Sequence, residues 1–331
     1  MFDFASAIIA WQRIYGRHDL PWQNTTDAYA IWVSEIMLQQ TQVTAVIGYY
    51  AKFMARFPSI HALANATQEE VLQYWSGLGY YSRARNMHAA AQKIADEFNG
   101  IFPTNFDDIL SLAGIGRSTA AAISTFAFNK PQPILDGNVK RVFARHFLVE
   151  GWPSAPKIED QLWQIALREN PRDEAIAYTQ GLMDLGATLC TRSKPQCARC
   201  PVNTSCQGFA QGLTLRLPTP KPKKVLPEKS VTMLVMINGD EVLLEKRPPS
   251  GIWGGLWSFP EIDITPKNAQ ALAKLTHTFT HFKLHIQPQL VQTNQQHWQK
   301  LHVWLTIEDA IGAAIPTPIR KILLNLKSQN L

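Results

Sequence analysis

Leu112-Ala113-Gly114-Ile115-Gly116-Arg117-Ser118-Thr119, followed by the helix-forming run 120–123, sets two glycines immediately ahead of a helix N-terminus. Glycine lets the backbone turn tightly and lets a partner come close to it. The free N–H groups of such a helix start, with the positive end of the helix dipole, make a site for an anion such as a phosphate. A plain tight turn uses the same residues. Arg117 beside the glycines, and Lys140, Arg141 and Arg145 on the next expected helix, weigh toward the phosphate.

Working outward, residues 1–212 read as helical, with amphipathic stretches over 27–38 and 41–57 that end at turn signals such as Phe57-Pro58 and Phe102-Pro103. An all-α domain is expected there. Over 213–229 the composition shifts: Pro218, Pro220, Pro222 and Pro227 alternate with Lys221, Lys223 and Lys224, the pattern of a stiff basic linker. Beyond it, 231–237 and 242–245 are β-rich and are separated by Asn238-Gly239, which predicts a hairpin. A strand over 279–286 and a closing helix over 319–326 complete an α/β domain at 230–331. The fold class is thus multidomain, all-α followed by α/β.

With 331 residues, 46 % of them hydrophobic, the chain can bury a core in each of two domains, which excludes disorder, collagen and small disulfide scaffolds. The net charge of +6 is too modest to demonstrate a polyanionic partner by itself. Residues 1–212 are neutral overall, whereas 213–227 hold four basic residues and none acidic. The N-terminal stretch 1–14 has no basic region and no small-residue cleavage site, and no apolar run is long enough to cross a membrane, so an intracellular, cytoplasmic protein is expected. Thiols stay reduced in that compartment. All four cysteines lie within one loop, Cys190-x6-Cys197-x2-Cys200-x5-Cys206, a spacing that brings four thiolates together for zinc or for the irons of a 4Fe-4S cluster. Spacing alone leaves that choice open.

The order of the glycine hairpin, Ile134-Leu-Asp136-Gly-Asn-Val-Lys-Arg141 and the cysteine loop resembles the helix-hairpin-helix DNA glycosylases related to endonuclease III. Within that superfamily, Trp32-Val-Ser-Glu-Ile-Met-Leu-Gln-Gln-Thr-Gln42 and Gly77-Leu-Gly-Tyr-Tyr-Ser-Arg-Ala-Arg85 resemble the adenine DNA glycosylases of the MutY type. The resemblance implies one 4Fe-4S cluster on Cys190, Cys197, Cys200 and Cys206. It implies a monomer that acts on double-stranded DNA, with no membrane partner, and removes adenine mispaired with 8-oxoguanine or guanine, leaving an abasic site.

Breaking an N-glycosidic bond needs a proton on the leaving base and support for the sugar cation, which two carboxylates in different environments can supply. Glu35 sits in an apolar helix, where burial would keep it protonated as general acid; a surface carboxylate on an amphipathic helix is the bland alternative. The resemblance has it protonate adenine N7. Asp136 stands at an expected helix start, where N–H groups would keep it ionised. An ionised Asp stabilises an oxocarbenium ion and, by analogy with retaining glycosidases, can also bond to the sugar before water attacks. Asn138 and Ser118 match family positions that line this pocket. The bifunctional relatives carry lysine at 118; serine offers no amine, so a monofunctional glycosylase is expected.

Adenine must leave the base stack before it is reached. By resemblance, Gln39, Gln40 and Tyr80 fill the gap, Trp22, Gln23 and Gln180 contact the flipped base, and Gly114, Gly116, Arg117 and Lys140 hold DNA phosphates. Trp253-Gly-Gly-Leu-Trp-Ser-Phe-Pro260 resembles a Nudix-like fold, but 262–275 offers only Asp263 toward the R-E-x-x-E-E carboxylates that hold magnesium, so pyrophosphate hydrolysis is not expected. Phe279, Thr280 and His281 match the family's 8-oxoguanine loop, with threonine in place of the usual serine at 280. Two other readings stand beside this one: a pyrimidine glycosylase and lyase like endonuclease III, and a non-catalytic iron-sulfur DNA-binding protein.

Overall fold

The computed structural model describes residues 2–222, 225–296 and 301–329. The chain divides into two compact units, Met1–His61 with Ala89–Lys223, and Ala62–His88 with Lys224–Leu331. The second unit thus draws on a segment from within the stretch expected to be one helical domain.

In the first unit, the helix Ala28–Leu38 starts at Asp27, whose side chain accepts from the Tyr29 N–H at 2.9 Å. Tyr29 to Ser34, Ile36 and Met37 are all buried, so this helix is apolar nearly all round and runs through the core. It packs on the helix Arg117–Phe128. The helices Gly137–His146 and Ala175–Thr188 pack closely because residue 186 is glycine: a Cβ there would meet the Asn138 Cβ at 2.5 Å. Phe4, Phe143 and Tyr178 anchor the core beneath them. Among the described residues, no helix is long and apolar enough to cross a membrane.

The second unit holds a mixed sheet: β1 (Glu228–Asn238), β2 (Glu241–Lys246), β3 (Trp257–Ser258), β4 (Gln270–Ala271), β5 (Leu275–Thr278), β6 (Lys283–Gln292) and β7 (His302–Thr306). β1 runs parallel to β6 from Glu228↔Lys283 to Ile237↔Gln292, and β2 turns back on β1 through Gly239-Asp240, one residue later than the expected Asn238-Gly239, with Gly239 at φ +61°. That glycine conformation suits the hairpin twist. The helix Thr317–Ser328 closes the unit and buries Ile319, Ile322, Leu323 and Leu326.

The expected strand 279–286 holds over 283–286, which lie in β6, and is corrected over 279–282. Residues 279–282 form the turn between β5 and β6, closed by the Phe279 N–H donating to the Phe282 carbonyl at 2.9 Å, with the two rings stacked 4.5 Å apart. Alternating apolar residues read as a strand, but here the two phenylalanines bury each other across a turn. The segment 262–275, where a Nudix hydrolase would carry its acidic helix, is loop and short strand. Part of the expected linker is fastened to the first unit: the Leu217 carbonyl accepts from Arg145, Thr219 Oγ1 accepts from the Gly151 N–H, and Lys221 lies over Trp152.

Candidate active site

A cleft of about 850 Å³ opens in the first unit, and Trp22, Gln23, Glu35, Gln39, Ser118, Asp136, Asn138 and Gln180 all line it. Eight residues expected at the site, drawn from five separated stretches of chain, therefore share one cavity. Its volume lies in the range of pockets that enclose a small organic ligand.

Glu35 reaches the cleft from the buried helix Ala28–Leu38. Burial, reinforced by the Asp136 charge, pushes its carboxyl up to about 8. Asp136 is the N-cap of Gly137–His146: one oxygen accepts from the Val139 N–H at 2.7 Å and the other from Asn138 Nδ2 at 3.2 Å. Burial raises its carboxyl too, whereas the N–H donors of Val139 and Asn138 and the Arg141 charge act against that rise. Among the described residues Glu35 has no such donors. The cleft therefore holds a protonated Glu35 beside an Asp136 built to carry charge.

Around this pair, Trp22 is buried edge-on to Tyr50, and Gln39 Nε2 donates to Thr119 Oγ1 at 3.3 Å. Gln23 is engaged at both ends of its amide, accepting from the Leu20 N–H at 3.1 Å and donating to the Arg17 carbonyl at 3.0 Å. Gln180 Nε2 donates to Asp184 Oδ1 at 2.9 Å, and Asp184 also accepts from the Arg17 side chain and backbone. Arg17 and Asp184 escaped the sequence reading. The signal available was a carboxylate four residues after Gln180, flanked by the core residues Leu182 and Leu185.

The glycine hairpin stands exposed at the start of Arg117–Phe128. Gly114 takes φ +80°, the left-handed conformation that favours glycine, and the N-cap Gly116 provides no side-chain cap, with open space where its Cβ would be. Arg117 lies 3.9 Å from the Trp163 ring centroid. Lys140 is paired with Glu159 at 2.6 Å. Not every nearby cation faces outward: Arg145 is 2 % exposed, and Arg141 donates to the carbonyls of Cys190 and Gly186. Both hold the protein together, contrary to their expected placement along a DNA surface.

Gln40 and Tyr80 are exposed non-glycine residues held at φ +56° and +49°. Such strain persists only where the surroundings enforce it. In the second unit, Tyr80 sits between Gly79 and the helix Ser82–Glu97, with the Arg83 guanidinium 5.4 Å from its ring. Thr280 and His281 project from the 279–282 turn, Thr280 Oγ1 lying 3.4 Å from His281 Nδ1, and Phe279 packs near Trp253 and His277.

The four cysteines are free thiols lining a second cavity in the first unit, which has no carboxylate in its wall. Burial pushes the Cys200 thiol up to about 12, and the other three sulfurs add to the shift, so the four feel one another. Arg145 Nη1 lies 3.3 Å from Cys190 Sγ. Among the described residues, no three His, Cys, Asp or Glu side chains form a set that could hold a single metal ion. Four soft donors around a shared cavity, with a buried cation beside them, fit a thiolate-held anionic group such as a 4Fe-4S cluster.

The chain matches the family model of the HhH-GPD superfamily base excision DNA repair proteins over residues 33–167 and that of the NUDIX domain over 232–325. It is 36 % identical to the adenine DNA glycosylase of Buchnera aphidicola subsp. Schizaphis graminum, covering 98 % of each chain. It is 32 % identical to that of Mus musculus, covering 96 % of this chain and 77 % of the relative. Among solved structures, a thermostable thymine-DNA glycosylase superposes with a TM-score of 0.56 at 28 % identity, covering 63 % of this chain and 95 % of the other. Near-full-length identity of this order, together with both family domains, places the chain in the adenine DNA glycosylase family, as a DNA N-glycosylase of the base excision repair superfamily.

Proposed function

We propose that the protein flips adenine out of double-stranded DNA where it is mispaired with 8-oxoguanine or guanine, and hydrolyses its glycosidic bond without cutting the strand. The observation that carries this reading is the pair of carboxyls in one cleft, Glu35 pushed up to about 8 by burial and Asp136 held by the Val139 and Asn138 donors that work against its own rise. Glu35, neutral up to about pH 8, gives its proton to adenine N7 and so makes the base a leaving group. Asp136 stabilises the oxocarbenium sugar that remains, and Asn138, bonded to it, holds the carboxylate in place. Ser118 supplies a polar wall. No lysine lines the cleft among the described residues, which favours water over an enzyme amine as the group that reaches the sugar.

Trp22 and Gln180 receive the flipped base, while Gln23 shapes the loop that carries Trp22. Gln39, Gln40 and Tyr80 fill the vacated stack, with Gly114, Gly116, Arg117 and Lys140 on the phosphates. Lys140 then exchanges Glu159 for DNA. Phe279, Thr280 and His281 read 8-oxoguanine. Cys190, Cys197, Cys200 and Cys206 would hold a 4Fe-4S cluster, whose contribution is to fix the loop they lie on. The protein acts as a monomer in the cytoplasm.

Single-turnover incubation with duplexes carrying adenine opposite 8-oxoguanine or guanine, with and without hot alkali, tests the proposal. Strand breaks that need alkali support it. Breaks without alkali favour a lyase, and no adenine release sinks the enzymatic reading.

A further inference from the structure

Asp184 is fully buried, and both of its oxygens are occupied. Oδ1 accepts from Arg17 Nε at 2.7 Å and from Gln180 Nε2 at 2.9 Å, with Arg17 Nη2 2.6 Å away; Oδ2 accepts from the Arg17 backbone N–H at 2.9 Å. A carboxylate paired with a guanidinium offers acceptors only. Whatever hydrogen-bonds to it must donate. Of the two ways round that a glutamine amide can sit, only one is open to Gln180: its NH2 faces Asp184, and Oε1 is left for a partner in the cleft. The spacing of four residues on the helix Ala175–Thr188 puts the two side chains on one face, so the arrangement is built into the helix.

We infer that Asp184 is a positioning residue for base selection: by fixing the Gln180 amide it presents an acceptor oxygen to the cleft, which takes a purine bearing an amine at its six-position and rejects one bearing a carbonyl there. The inference rests on the reading of the cleft as an adenine site. Gln23 offers no compensating freedom, because both ends of its amide are engaged by Leu20 and by Arg17, the residue that Asp184 clamps. Arg17 thus links both glutamines to one buried charge. An acceptor facing an acceptor is costly in a site that excludes water, since neither keeps its solvent partner.

The test uses duplexes identical except for adenine or hypoxanthine opposite 8-oxoguanine, with the wild-type protein, Asp184→Asn and Gln180→Leu. Single-turnover rates give an adenine-to-hypoxanthine ratio for each protein, and comparing ratios between proteins cancels the intrinsic difference in leaving group. The ratio falls by roughly tenfold in each variant, the worth of one hydrogen bond. The double variant falls no further, because Asp184 acts through Gln180. An unchanged ratio in Gln180→Leu overturns the inference, as do rates in Asp184→Asn that fall together for both bases. Should Asp184→Asn fail to fold, Gln180→Leu decides by the same ratio. Release of neither base by the wild-type protein overturns the adenine reading itself and this inference with it.

Discussion

The Asp136 charge adds to burial in holding Glu35 protonated, up to about pH 8, across a cleft that both side chains line. The proposed general acid is therefore poised for neutral solution. Adenine release should fall as pH rises through that value, as Glu35 loses its proton, and fall again in acid, where Asp136 takes one up. Glu35→Gln should lower the single-turnover rate by about 10³-fold and abolish the alkaline limb, while duplex binding changes little.

The same residue should cost stability. Burial favours neutral Glu35, so above the ordinary 4.5 the folded protein keeps a proton that the unfolded chain has released. Stability is thus full below about 4.5 and is lost as pH rises toward 8. Thermal melts should show Glu35→Gln with a higher Tm than wild type at pH 8 and no difference near pH 4. Equal melting at both pH values would contradict the assigned protonation.

Asp136 combines charge and cap, and two substitutions separate them. Asparagine caps a helix about as well as aspartate, so Asp136→Asn should melt near wild type and yet lose roughly 10²- to 10³-fold in adenine release. Asp136→Ala removes the acceptor of the Val139 N–H as well and should cost about 1 kcal/mol in urea unfolding. If asparagine retained activity, the residue would be a cap alone.

What could be read in advance follows from how local the cause is. Asp27 ahead of an apolar run, Asn238-Gly239 between β-rich runs, and Asp136 before Gly137-Asn138 are decided within a few residues, and the structure has each, the hairpin turn one residue later. Glu35 is singled out by the family resemblance, since the residues around it alone also fit a surface carboxylate on an amphipathic helix; the structure has Trp32, Val33, Ile36 and Met37 buried on all sides of it. The illegible parts depend on distant partners. Nothing near Arg145 announces that loop carbonyls far along the chain will surround it. Likewise, the association of 62–88 with the C-terminal sheet has no sequence signal, since amphipathic helices do not name what they pack on.

Arg145 should therefore behave as a framework residue. Its guanidinium donates to the carbonyls of Cys190, Thr191, Arg192 and Leu217 at 2.8–3.2 Å, tying the start of the cysteine loop and the segment that follows the loop to one buried cation. Arg145→Met leaves those carbonyls without donors, with an expected cost of about 3 kcal/mol or more. Urea unfolding measures it, and faster reaction of the four thiols with a disulfide reagent would locate the damage in the loop. A variant as stable as wild type would show that water replaces the lost donors.

Arg320 should control the turn that carries Tyr80, from within the second unit. Its Nη2 donates to Ser76 Oγ at 2.8 Å and its Nη1 to the Ile311 carbonyl; Ser76 Oγ and Tyr81 OH in turn donate to the Ile315 carbonyl at 3.0 and 3.2 Å. Between those two anchors the chain takes left-handed conformations at Gly77, Gly79 and Tyr80, φ +101°, +77° and +49°. A non-glycine residue there stores strain that its neighbours must hold. Arg320→Ala removes the donor joining Ser76 to the C-terminal helix, so backbone amides 76–81 should exchange hydrogen faster while the strands β1 and β6 keep their protection. Lysine lacks the guanidinium fork that spans Ser76 and the 311–313 carbonyls, so Arg320→Lys should not restore the turn. If Tyr80 wedges the duplex, both variants should lose adenine release to the same extent as Tyr80→Ala, and adding Tyr80→Ala to either should cost nothing more; additive losses would separate the turn from the wedge.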